Sequence, residues 1–167
     1  MNEMGTFGVF LCFVLLFTFQ TTLLHYVNVG EVHPDLVIIA AVFLGFAFSK
    51  GKSVVAGSCL GLVQDTLSGG IIGMNMLSKG LAGYCAAHLR ETIILENIIA
   101  QCFLIFGATI LEGVVFQFLS NIFPMIQTPE GFWEDITLLA FYNALASPFG
   151  FLILKKVFPP SAKKSLR

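Results

Sequence analysis

GSCLGLVQDTLSGGIIGMNMLSKGLAGY, residues 57–84, sets one aspartate and one lysine inside sequence that is otherwise apolar and rich in glycine. An ionisable side chain at membrane depth costs about 2.5–3.5 kcal/mol on insertion scales and is tolerated where it is paired or functional. Asp65 and Lys79 therefore need partners or a task. On a helix, residues four apart share a face, so Ser53, Gly57, Gly61 and Asp65 form one stripe of small residues that ends in a carboxylate. Such a stripe admits a second helix at close range, which turns Asp65 toward protein rather than lipid. The next segment answers with Lys79, Gly83, Ala86 and Ala87 on one face and Arg90 at its end.

Composition puts these segments in a bilayer. Of the 167 residues 56% are hydrophobic and 11% charged, and mean hydropathy is +0.87, more apolar surface than a soluble domain of this size can bury. A helix crossing the hydrocarbon needs about 20 apolar residues, so the chain has room for about six. Spans are expected at residues 6–26, 34–49, 53–65, 72–89, 98–122 and 136–154. The third is too short to cross alone: either it continues helically through residues 66–70, or residues 67–73 form an irregular link. Gly69, Gly70 and Gly73 offer positive φ for the reversal that follows. The architecture expected is an all-α integral membrane protein, a compact bundle in one domain over residues 1–158, followed by a basic tail at 159–167.

Lysine and arginine set the orientation. Lys50 and Lys52 follow the second span, Arg90 the fourth, and Lys155, Lys156, Lys163, Lys164 and Arg167 the sixth. The loops at 28–35 and 123–135 hold no Lys or Arg but do hold Glu31, Asp35, Glu130, Glu134 and Asp135. Both groups of loops indicate that the two termini are cytoplasmic. Tyr26, Phe132 and Trp133 fall at the outer boundary, where amphipathic rings anchor. The first segment lacks a basic n-region and reads as a retained helix rather than a cleaved signal peptide. Net charge is −1, so no basic field for nucleic acid exists, and Cys12, Cys59, Cys85 and Cys102 lie in apolar stretches without CxxC spacing, as small buried hydrophobes would.

Counting rise per residue puts Asp65 about 20 Å above Lys52 and Lys79 about 16 Å above Arg90, similar depths on adjoining helices. The expectation is an Asp65–Lys79 ion pair; otherwise Lys79 snorkels or pairs with Glu112 in the fifth span. Glu112 beside Gly113 is either protonated, hydrogen-bonded or a proton-coupling site, with a structural role favoured. Ala140, Asn143, Ala144 and Ser147 give the last span a small polar face, and Pro148 should kink it. His25, His33 and His88 are scattered, and no arrangement of nucleophile and base or of metal ligands supports catalysis, a cofactor or a metal.

HPDL at 33–36 followed by GSCLGLVQDTLSGGIIGMNML at 57–77 resembles the MreD family of bacterial rod shape-determining membrane proteins. Its hallmark is a Pro-Asp opening the second span, then G-x-x-x-G-L-x-x-D with S-G and a further Gly downstream. Pro34, Asp35, Gly57, Gly61, Leu62, Asp65, Ser68, Gly69 and Gly73 hold those positions. The motifs cover residues 31–90, and length, span layout and basic tail extend the likeness to the whole chain.

The resemblance implies a non-enzymatic inner-membrane component of the cell-elongation machinery that binds MreC. Through MreC it would join MreB, RodA and a class B penicillin-binding protein in lateral peptidoglycan synthesis. It also implies a six-helix fold similar to the substrate-binding subunits of energy-coupling-factor transporters. No catalytic residues carry over. The outward loops are short, so MreC is expected on the helices or near Asp35, Phe132 and Trp133. Two other readings are a small-molecule-binding transporter subunit and a proton- or ion-coupled channel built on Asp65, Lys79 and Glu112. The transporter reading expects an alanine-rich first helix, whereas Phe7, Phe10, Leu11, Val14 and Phe17 are bulky.

Overall fold

Pro34 and Asp35 start the helix around which the others gather. The Asp35 carboxylate accepts from the backbone N–H groups of Val37 (2.8 Å) and Ile38 (3.3 Å), satisfying two donors that a helix N-terminus leaves open. The helix it caps, α1 (Leu36–Ala47), is apolar all round, and every residue from Val37 to Gly45 is buried. A helix without a polar face belongs inside. The computed structural model describes residues 17–18, 20, 33–69, 71–93, 97–123, 126 and 128–157. Among these, α1 is joined by α2 (Lys50–Ser68), α3 (Met74–Leu89), α4 (Ile98–Ile122) and α5 (Phe132–Val157), with no strand, and all four pack on α1. The expected first span at 6–26 and the tail at 159–167 lie outside the described residues, apart from Phe17, Thr18 and Gln20, which are helical.

Helix α2 answers the question of the short third span. It runs 19 residues as one helix from Lys50 and stops at Gly69. Gly69 takes φ 65° and Gly73 φ 109°, left-handed conformations that a side chain disfavours, so the expected glycine reversal is built there; Gly70 is outside the described residues. The stripe of Ser53, Gly57, Gly61 and Asp65 is buried in full. A Cβ on Gly57 would strike the Lys79 carbonyl, and one on Gly61 the Asn75 carbonyl, so α2 and α3 touch backbone to backbone. The pairing is tight because these residues have nothing to put between the helices.

The expected Asp65–Lys79 ion pair does not form. Asp65 instead accepts from the N–H groups of Gly73 (2.8 Å), Asn75 (3.1 Å) and Met76 (3.2 Å) and from Asn75 Nδ2 (2.9 Å), capping α3 from the neighbouring helix. The positive end of the α3 dipole provides the electrostatic complement that Lys79 was expected to supply. Helix α4 matches its expected limits. Helix α5 starts four residues earlier than expected, because Gly131 at φ 81° turns the chain and Glu134 and Asp135 favour a first helical turn. Pro148 lies inside α5 and cannot donate to the Ala144 carbonyl; the Ser147 hydroxyl donates to that oxygen instead, at 2.7 Å.

Polarity is arranged inside out. Ser53, Asp65, Ser78, Lys79, Thr109 and Asn143 are buried, whereas Phe103, Leu145 and Phe149 are 72–75% exposed. Such an apolar exterior is stable in hydrocarbon. Two described helices, Ile98–Ile122 and Phe132–Lys156, are long and apolar enough to cross a membrane. The cysteines correct an expectation: Cys59 and Cys85 are exposed and Cys102 partly so, because Cys59 lies two residues from Gly57 and faces away from the packed stripe. Cys12 is outside the described residues.

Candidate functional site

Among the described residues Lys79 is the largest of the fully buried side chains, and its surroundings define the site. Its ammonium has three donors. One reaches Asp35 Oδ2 at 2.8 Å, one Asn75 Oδ1 at 2.7 Å, and one Glu112 Oε1. Three helices are thereby tied at one point: α1 through its cap residue, α3 through Lys79 and Asn75, and α4 through Glu112. Asn75 also donates to Asp65, so the motif aspartate of α2 joins the same network one bond further out.

Asp35 is 8% exposed and fully engaged. Oδ1 accepts from the α1 N–H groups and from Gln20 Nε2 (3.3 Å), and Oδ2 from Lys79 and Gln64 Nε2 (3.1 Å). Its own N–H donates to Asn143 Oδ1 at 2.7 Å, and Asn143 Nδ2 donates to Thr109 Oγ1 at 3.1 Å. The polar face expected on the last span thus holds the start of α1. Glu112 Oε1 also accepts from the Ser78 hydroxyl at 3.3 Å. Taken as ionised, two carboxylates and one ammonium leave the cluster one positive charge short of neutrality.

The cluster forms the floor of a cavity of about 480 Å³. Gln20, Gln64, Asn75 and Glu112 line it, with Phe116 and Phe132 among its apolar walls. It sits at the end of the bundle opposite the junction of α1, α2 and α3, where Arg90 Nη1 donates to the Phe48 carbonyl at 2.8 Å and Lys50 Nζ lies 2.8 Å from His88 Nδ1.

Of the residues singled out in the sequence, Asp35, Lys79 and Glu112 meet, and Pro34 lines the cavity beside them. Asp65 reaches them through Asn75. Gly57 and Gly61 lie under Lys79 and Asn75 and set the approach that brings α3 in. Gly69 and Gly73 stay in the turn. Trp133 is 45% exposed at the rim, its ring edge-on to Phe132 at 5.5 Å. Asp35, grouped with Phe132 and Trp133 as an outer docking rim, is instead used internally. Gln20, Gln64 and Asn75 were not recognised; the available signal was an uncharged amide at helical spacing within an apolar span.

A helical, apolar-surfaced bundle closed over a buried charge network is the architecture of an integral membrane protein. Over residues 1–156 the sequence matches the family of the rod shape-determining protein MreD, and the chain belongs to that family. It is accordingly a rod shape-determining membrane protein. Neither a curated protein nor a solved structure matches it.

Proposed function

We propose that the chain is a non-enzymatic, multi-pass component of the cell-elongation complex in the bacterial inner membrane. Both termini are cytoplasmic, and six spans form a bundle of the kind seen in energy-coupling-factor substrate-binding subunits. It binds MreC and, with MreB, RodA and a class B penicillin-binding protein, supports lateral peptidoglycan synthesis. Family membership over 156 residues supports the setting. The observation that carries the scaffold reading is the triple engagement of Lys79, which spends a buried charge on joining α1, α3 and α4. The exposed Trp133 and the half-buried Phe132 then offer the aromatic rim for MreC.

Depletion should round rod-shaped cells. Phe132→Ala with Trp133→Ala should reduce MreC co-purification while leaving the protein in the membrane, and undiminished co-purification refutes this rim as the contact. The cavity favours a second reading as a small-molecule-binding transporter subunit. Solute uptake into vesicles containing the protein would establish that reading in place of the first.

A further inference from the structure

Three acceptors in the cavity have no donor. Gln20 and Gln64 each turn the amide nitrogen to Asp35, whose carboxylate can only accept, so both amide oxygens face elsewhere. Those two oxygens and Glu112 Oε2 are buried without a hydrogen-bond partner, and all three residues line the one cavity. Glu112 itself is only 5% exposed. The Lys79 ammonium cannot serve them, because its three donors go to Asp35, Asn75 and Glu112 Oε1. Buried polar groups are almost always satisfied, so three orphaned acceptors around one space describe the chemistry of an occupant.

An occupant that donates several hydrogen bonds and carries positive charge would satisfy these acceptors and balance the second carboxylate. His33 also lines the cavity, and the walls formed by Phe116, Phe132, Ile136 and Leu139 are apolar and suit a hydrocarbon or aryl body. We propose that this cavity binds a primary ammonium group carried on an apolar body, which donates to Glu112 Oε2 and to the amide oxygens of Gln20 and Gln64. The site shares Phe132 with the rim proposed for MreC, but its test reads amine binding in the absence of MreC and requires no transport. The same chemistry is available from a free amine or from the ethanolamine headgroup of a lipid, since the aromatic rim lies where headgroups sit.

The test uses the full-length chain in nanodiscs of phosphatidylcholine and phosphatidylglycerol, which lack primary amines. Phenethylammonium and its neutral counterpart 2-phenylethanol are titrated by calorimetry, and by fluorescence of Trp133, the chain's single tryptophan, which lies against Phe132. The ammonium should bind about tenfold or more tighter than the alcohol, the difference expected of one charge-assisted hydrogen-bond set. Glu112→Gln should remove that preference, with Lys79 still held by Asp35 and Asn75. Gln64→Leu, which leaves Lys79 its own three contacts, should weaken ammonium binding severalfold and so tests the site even if Glu112→Gln does not fold.

Adding phosphatidylethanolamine separates the sources. Competition with phenethylammonium identifies a headgroup site, and an unchanged titration a site for a free amine. Equal affinity for ammonium and alcohol overturns the proposal and leaves water as the occupant. So does a preference that survives both substitutions.

Discussion

Replacing Lys79 by methionine removes the buried ammonium and keeps the length of the side chain. The structure specifies the loss. Asp35 Oδ2 forfeits its 2.8 Å ion pair, Glu112 Oε1 its ammonium donor, and Asn75 Oδ1 its 2.7 Å donor. Two carboxylates then share a buried site with no cation among the described residues to hold them. Removing one member of a buried ion pair costs about 3–5 kcal/mol, chiefly because it strands the other charge. The expected destabilisation of Lys79→Met is therefore about 3–5 kcal/mol.

Most of that cost should be recoverable. Glu112→Gln in the Lys79→Met background removes one stranded charge, and Asp35 keeps its bonds to α1, Gln20 and Gln64. The double variant should therefore be more stable than Lys79→Met alone. Asp65→Asn in the same background should add to the damage, since Asp65 caps α3 instead of facing Lys79. The assay is reversible unfolding in mixed micelles followed by far-UV circular dichroism, with all four proteins compared in one detergent. A Lys79→Met cost below about 1 kcal/mol, a range typical of exposed ion pairs, refutes the argument. Rescue by Asp65→Asn but not by Glu112→Gln refutes it too.

Three further outcomes follow from the same contacts. Asp65→Asn replaces a carboxylate that accepts four hydrogen bonds with an amide that has one acceptor oxygen, and should cost about 1.5–3 kcal/mol in the same unfolding assay. Gly61→Val drives a side chain into the Asn75 carbonyl and should lower the midpoint of thermal unfolding by several degrees, whereas Gly51→Ala, with open space around it, should leave that midpoint where it is. Asn143→Leu leaves the buried Asp35 N–H without its acceptor and should cost about 1–3 kcal/mol, visible as faster hydrogen exchange at the start of α1.

Local order was the legible part of this chain. The apolar runs and their limits specify helices, because a backbone in hydrocarbon must satisfy its own hydrogen bonds. The limits of α4 could be read directly, and so could the glycine reversal after Ser68. The four-residue spacing of Ser53, Gly57, Gly61 and Asp65 foretold a buried seam, since that spacing is a property of one helix and needs no knowledge of its neighbour. The family could be read from the same residues together with Pro34 and Asp35.

The partner of each charge was decided only in three dimensions. Counting residues gave Asp65 and Lys79 similar depths, but depth says nothing about the direction in which a side chain leaves its helix. Once Gly57 and Gly61 bring the backbones together, Asp65 meets the open N–H groups of α3, and Asn75 stands between it and Lys79. Asp35 looked like a loop residue at the rim. With twelve residues, α1 is about 18 Å long against a hydrocarbon thickness of about 30 Å, so its cap begins below the ends of its longer neighbours and within reach of Lys79. Sequence determined which segments are helices and which faces are small; the crossing of the described helices, unequal in length, determined which charges meet, because pairing depends on distance and azimuth, which no one-dimensional spacing encodes.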